Sequence, residues 1–182
     1  MLVVNDPTLL ERAEIIWEKG TNRGQFFRGE TSKYEWVDIG SSFLPSEITA
    51  AFLWAQLENL DKIQQRRLEL WETYNIELKN WAEKHRIALP GIPSFSSNNA
   101  HIFYLICTSV TQRNAIIEHL GNHDILAVFH YLSLHNSPYY SKYHDDRILA
   151  NSDEYSEKLL RLPLFFELNI TQVINAVKKF NG

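Results

Sequence analysis

Apolar residues spaced three and four apart fill the first half of the chain, whereas short apolar runs alternate with polar helical stretches in the second. The opening "MLVVND" reads as a strand. Pro7 then sits at a first helical position, and "TLLERAEIIWEKG" predicts an amphipathic helix over 7–19 that Gly20 ends. A loop of about twenty residues follows, punctuated by Gly20, Gly24, Gly29 and Gly40; loops that long in compact domains are usually functional or disordered. From Pro45 to Lys84 the pattern is helical almost without interruption. Ile48, Ala51, Phe52, Ala55, Leu60 and Ile63 lead into Leu70, Trp71, Tyr74, Leu78 and Trp81, which fits one buried face. Pro45 suits position N1 and Glu47 position N3. Forty helical residues would reach about 60 Å, so this helix is expected to be broken, bent or bridging two bodies.

A Pro/Gly/Ser-rich connector, "EKHRIALPGIPSFSSNN", separates this helix from a different rhythm. "AHIFYLICT" reads as a strand, "TQRNAIIEHLGNHD" as a helix and "ILAVFHYL" as a second strand. "NSDEYSEKLLRL" reads as a helix capped by Asn151 or Ser152, followed by an extended "PLF". "NITQVINAVKKF" is a last helix, with Asn169 as its cap and lysines at its end. Strands alternating with helices predict a small α/β or α+β layer.

Composition narrows the class. The 182 residues are 45% hydrophobic and 22% charged, enough apolar material for a buried core. A net charge of −4 argues against a general nucleic-acid binder, which is usually basic. The single cysteine, Cys107, lies in an apolar run and reads as a reduced core residue of a cytoplasmic protein. No apolar stretch is long enough to span a bilayer, and the N-terminus lacks the basic region of a signal peptide. A strand beginning at residue 1 suggests a sheet assembled elsewhere.

Several clusters carry candidate chemistry. "GSSFLPSEITAAFLWAQL" places Gly40, Ser41 and Ser42 just before a helix, either to cap it or to seat a phosphate at its N-terminus. Lys19, Arg23 and Arg28 stand beside Phe26 and Phe27 in the glycine-rich loop, which suits either a nucleotide or a plain surface loop. His119 and His123 have metal-ligand spacing but no third ligand at a recognisable distance, so a solvated helix end accounts for them. "VFHYLSLHNSPYY" sends His130, Tyr131, His135, Tyr139 and Tyr140 out from a strand end, where α/β proteins often place ligand contacts; simple loop packing is the alternative. Nothing matches a nucleophile elbow, a Walker loop or a dinucleotide fingerprint.

"LLERAEIIWEKGTNRGQFFRG", "YEWVDIGSSFLPSEITAAFLWAQLENLDKI", "HYLSLHNSPYY" and "SEKLLRLPLFFELNITQVINAVKKF" together resemble the C-terminal half of the sugar aminotransferases of the DegT/DnrJ/EryC1/StrS family. That resemblance implies the aspartate-aminotransferase (fold type I) architecture, an α/β fold with a large cofactor domain and a smaller α+β domain. Residues 1–44 would be a remnant of the large domain, 45–85 a long bridging helix, and 86–182 the small domain. It implies a homodimer and pyridoxal 5'-phosphate held on a lysine. The amino group would pass from glutamate to C4 of a dTDP-4-keto-6-deoxy sugar, with no nucleic-acid or membrane partner. None of the nine lysines stands in the family's catalytic setting, so no catalytic residue is expected in this chain. Relatives carry an aromatic-Asn-aromatic-Arg pattern where "SSFL" stands. Ser42 takes the Asn position, which in relatives reaches the cofactor phosphate of the neighbouring subunit, and Ser41 lies beside it. Leu44 replaces the Arg, which removes a charged contact. Lys19, Arg23 and Arg28 would lie near the substrate pyrophosphate or the dimer seam, and His130, Tyr131 and His135 on the sugar side. Two other readings remain open: a catalytically silent binding or dimerisation module, and a dehydratase on the same fold.

Overall fold

The computed structural model describes residues 2–181, and the chain divides into two compact units, one ending at Glu58 and the other beginning at Asn59. In the first unit, the Asp6 carboxylate accepts from the Thr8 backbone N–H at 2.9 Å and so starts a 3-10 turn over Pro7–Leu9. That turn runs into α1 (Leu10–Trp17). Lys19 and Gly20 then both take positive φ, 66° and 81°, and reverse the chain. The expected strand at "MLVVND" does not form: residues 2–6 have no sheet partner among the described residues, and Met1 lies outside them. A strand is held by its neighbour, so an apolar run alone does not make one.

The glycine-rich segment is more ordered than a free loop. It contains α2 (Arg23–Phe27) and is pinned by two antiparallel bridges, Glu18 to Ser42 and Thr21 to Trp36. Gly20 and Gly40 meet backbone to backbone, so a Cβ on either would overlap main-chain atoms of the other segment. Helix α3 spans Glu47–Glu58, and the hydroxyl of Ser46 accepts from the Thr49 N–H at 3.2 Å. Glu47 therefore opens the helix rather than standing at its third position. Among the described residues, none of the apolar side chains of this unit is buried; the side chains of Ile48, Phe52 and Trp54 are all exposed.

The second unit holds the core. The expected long helix is broken at Asn59 and again at Leu78, giving α4 (Leu60–Glu77) and α5 (Lys79–His85). Arg86, at φ 56°, closes α5, with Lys84 and His85 in the last turn where a helix dipole favours cations. Leu70, Trp71, Tyr74, Leu78 and Trp81 are buried as the spacing predicts. Tyr74 donates its hydroxyl to the Pro163 carbonyl at 2.9 Å, and burial raises its pKa. Arg67 spreads its fork over the carbonyls of Ala100, His101 and Leu164 at 2.6–3.1 Å, tying α4 to two distant segments.

A three-stranded antiparallel sheet packs against these helices in the order β1 (Phe103–Ile106), β3 (Leu159–Leu162), β2 (Val128–Phe129). Phe103 pairs with Leu162 and Leu105 with Leu160, all four in the core; Tyr104 and Arg161 pair on the other face. Strand alternation is the reason. Between the strands lie α6 (Val110–Gly121) and α7 (Ala150–Lys158). Helix α8 (Ile170–Lys179) buries Val173, Ile174, Ala176 and Val177, and the Asn169 side chain caps it by accepting from the Gln172 N–H at 3.3 Å. Two expectations are corrected. The helix read through "NSDEYSEKLLRL" stops at Lys158, and Leu159–Leu162 form the central strand instead. Leu and Arg favour helices, but pairing with strands on both sides outweighs local propensity. Asn151 and Ser152 lie inside α7, which has no side-chain cap, and the second strand covers only Val128–Phe129.

Candidate functional site

Ser41 and Ser42 do not cap α3, because Ser46 does. Their position is fixed by the backbone: the Ser41 N–H donates to the Ile16 carbonyl at 3.0 Å, and the Lys19 N–H donates to the Ser41 carbonyl at 3.3 Å. Gly40 permits this, since its hydrogen faces Gly20 where no side chain fits. Both serines are exposed, and neither hydroxyl has a partner among the described residues. Two free hydroxyls on a pinned backbone fit the donor role toward a phosphate oxygen. Leu44 adds no charge.

The three cations of the neighbouring segment are not equivalent. Lys19 is exposed at its positive-φ position. Arg23 lies 3.6 Å from Glu18 and stacks over Phe27 at 5.1 Å. Arg28 is taken up by two carboxylates, reaching Glu14 at 2.6 and 2.9 Å and Glu30 at 2.8 and 3.2 Å. Arg28 in turn lowers the pKa of both acids through these bonds. The adjoining hollow is lined by Glu11, Glu14, Glu30 and Arg28, so its charge is acidic. A diphosphate would therefore have to displace carboxylates to reach Arg28, while Lys19 stays open to it.

In the second unit, the strand-end segment spreads out. His130 is half-buried, with Nδ1 enclosed and unpartnered, and its ring lies edge-on to Tyr131 at 5.1 Å. Burial, and then the charge of Arg161, lower its pKa, so the imidazole is neutral at pH 7. Tyr131 is 79% exposed and free to meet a ligand. His135 instead serves the loop, with Nε2 at 2.9 Å from Asp153 and its ring stacked on His144 at 5.0 Å. Lys142 lies over the rings of Tyr139 and Tyr143 at 5.1 and 4.9 Å.

His119 and His123 do not gather a metal set. His119 Nε2 bonds the Ala176 carbonyl at 2.9 Å, His123 Nδ1 bonds the His119 carbonyl at 2.8 Å, and no group of three potential ligands occurs among the described residues. Cys107 is buried, which pushes its thiol up to about 12, and it acts as a core residue. Sequence reasoning passed over Arg161. Its signal was a cation inside the run "LLRLPL", visible only once that run is known to be a strand.

Comparison with known proteins identifies the scaffold. The dTDP-3-amino-3,6-dideoxy-alpha-D-galactopyranose transaminase of Aneurinibacillus thermoaerophilus is 25% identical over 182 residues, covering 98% of this chain and 46% of that protein. The UDP-4-amino-4,6-dideoxy-N-acetyl-beta-L-altrosamine transaminase of Helicobacter pylori is 26% identical over 177 residues, covering 96% and 45%. Among solved structures, DesV of S. venezuelae, determined in complex with a ketimine intermediate, superposes with a TM-score of 0.78 at 26% identity, covering 97% of this chain and 45% of that one. The chain thus spans under half the length of the curated relatives it matches. Aminotransferases of this kind are pyridoxal-phosphate-dependent. The α/β fold is theirs, and the match to the DegT/DnrJ/EryC1/StrS aminotransferase family runs over residues 1–181, so the chain belongs to that family.

Proposed function

We propose that these residues form part of a pyridoxal-phosphate-dependent sugar-nucleotide aminotransferase that moves an amino group from glutamate to C4 of a dTDP-4-keto-6-deoxyhexose. The reading takes a dTDP-4-amino-4,6-dideoxygalactose transaminase, which serves cell-surface polysaccharides such as enterobacterial common antigen, as the kind of enzyme these residues come from. One observation carries it: a family match along nearly the whole chain that nevertheless covers under half of each relative. Residues 1–44 belong in this reading to a large cofactor domain, 45–85 to a bridging helical segment and 86–182 to a small domain. The working enzyme is a cytoplasmic homodimer. No helix among the described residues is long and apolar enough to cross a membrane.

Pyridoxal phosphate, when bound, supplies the electron sink for moving an amino group. This chain's part is binding and orientation. The hydroxyls of Ser41 and Ser42 donate to the cofactor phosphate from a backbone that Gly20 and Gly40 hold in place. Lys19 and Arg23 meet the substrate diphosphate, with Arg28 joining only by leaving Glu14 and Glu30. His130 and Tyr131 face the sugar, and His135 braces the segment that carries them through Asp153. The lysine that holds the cofactor lies outside these residues. In support, eight of the nine lysines are exposed, and the ninth, Lys158, is tied to Glu154 at 2.9 Å.

The test has two arms. The 182-residue chain, mixed with pyridoxal phosphate and dialysed, is expected to keep no Schiff-base absorbance; a retained band overturns the placement of the lysine. In the enzyme that includes the lysine-bearing part, Ser42→Ala is expected to weaken cofactor binding by about 1–2 kcal/mol, one hydrogen bond to a charged group. An unchanged dissociation constant removes Ser42 from the phosphate.

A further inference from the structure

Most arginines of this chain are already satisfied. Arg12, Arg23, Arg28 and Arg147 meet carboxylates, and Arg67 meets backbone carbonyls. Arg161 meets neither, although its Nε is enclosed by protein and lacks any partner. It stands in the middle strand of the sheet, opposite Tyr104 on β1 and Val128 on β2, on the face turned away from the core. His130, just past the end of β2, lies close enough to Arg161 for the guanidinium charge to act on its ring. Its Nδ1, like Arg161 Nε, is an enclosed nitrogen without a hydrogen-bond partner among the described residues. Tyr155 of α7 approaches Tyr104 closely enough to raise its phenol further, after burial. Arg161, without a carboxylate partner among the described residues, thus shares a sheet face with the Tyr104 phenol and lies near the His130 imidazole.

Enclosed donors without acceptors are costly unless something completes them, and the complement of a guanidinium fork is an oxyanion. We propose that Arg161, His130 and Tyr104 form an oxyanion subsite on the outer face of the sheet, taking a carboxylate or phosphoryl group of a substrate. The choice of substrate rests on the aminotransferase reading, which offers the carboxylate of glutamate and the diphosphate of the sugar nucleotide. The affinity for an anion does not depend on that reading. Arg161 supplies two parallel donors, the Tyr104 hydroxyl a third, and His130 a ring N–H. Neutral His130 gains a proton more readily once an anion arrives, so occupancy raises its pKa.

The test uses the 182-residue chain and three probes: inorganic phosphate, glutamate and thymidine diphosphate, followed by the His130 ring resonances in NMR. Binding of at least one probe is expected to shift those resonances and raise the His130 pKa. Arg161→Met is expected to weaken that binding at least tenfold, and Tyr104→Phe a few-fold. Arg161→Lys, which keeps the charge but loses the fork, should fall between and serves if the Met variant fails to fold. Glutamate ahead of the others assigns the carboxylate, and thymidine diphosphate ahead assigns the diphosphate. If no probe moves His130, or if Arg161 variants of unchanged circular dichroism bind as before, the subsite does not exist. In the enzyme that includes the lysine-bearing part, anion binding without any amino transfer overturns the aminotransferase reading alone; amino transfer without anion binding overturns the subsite alone.

Discussion

Gly40 shows how a residue's reason can differ from what its neighbours suggest. Beside two serines and ahead of a helix it looks like part of a cap, yet its task is to let two backbones touch. That contact is invisible in the sequence, because Gly20 lies twenty positions away and neither glycine signals the other. Gly40→Ala is expected to destabilise the first unit by about 1–3 kcal/mol, the usual cost of forcing a methyl into a filled site, read as a lower α1 melting point by circular dichroism. A variant as stable as the parent would mean that the segment moves aside. Asn169 was legible because a cap acts within three residues; Ser46 was missed because Pro45 offered a plausible start one residue earlier. Among the candidate ligands, residue type marked Arg28 as a cation but not that two acids already hold it.

At the scale of elements, helices with a sustained apolar face were readable and the central strand was not. Leu159–Leu162 has no alternation of its own, since three of its four residues are leucines, and only its partners decide its state. Helices α1 and α2 are joined by Arg28 to Glu14 and by Gln25 to Glu11, with no buried apolar contact beneath them. Arg28 depresses the pKa of Glu14 in the folded state, so this tie contributes above the unfolded carboxylate pKa near 4.5 and fades as pH falls through the lower folded value. Lowering pH from 6 toward 3 is therefore expected to loosen α2 from α1 before α4 and α8 respond. Amide NMR of Gly24 and Val177 across that range checks the order; simultaneous loss would show that the ion pairs are incidental.

At the scale of the molecule, every buried apolar side chain among the described residues lies beyond residue 69. Residues 59–182 are thus expected to fold alone as a cooperative unit, with a sigmoidal thermal transition close to that of the full chain; a gradual melt would show that the core depends on the preceding residues. The family and the α/β class were legible from motifs spread along the sequence. The imbalance of burial was not, because "EITAAFLWAQLE" reads as core-facing while the side chains of Ile48, Phe52 and Trp54 stand in solvent. This imbalance makes the first 58 residues a sensitive reporter. Helical amides with nothing packed over them open at little cost and take up deuterium quickly. In a background so quiet, any slowing of exchange there, whether from a vitamin-derived ligand or a second polypeptide, is the signature of assembly and can be mapped peptide by peptide.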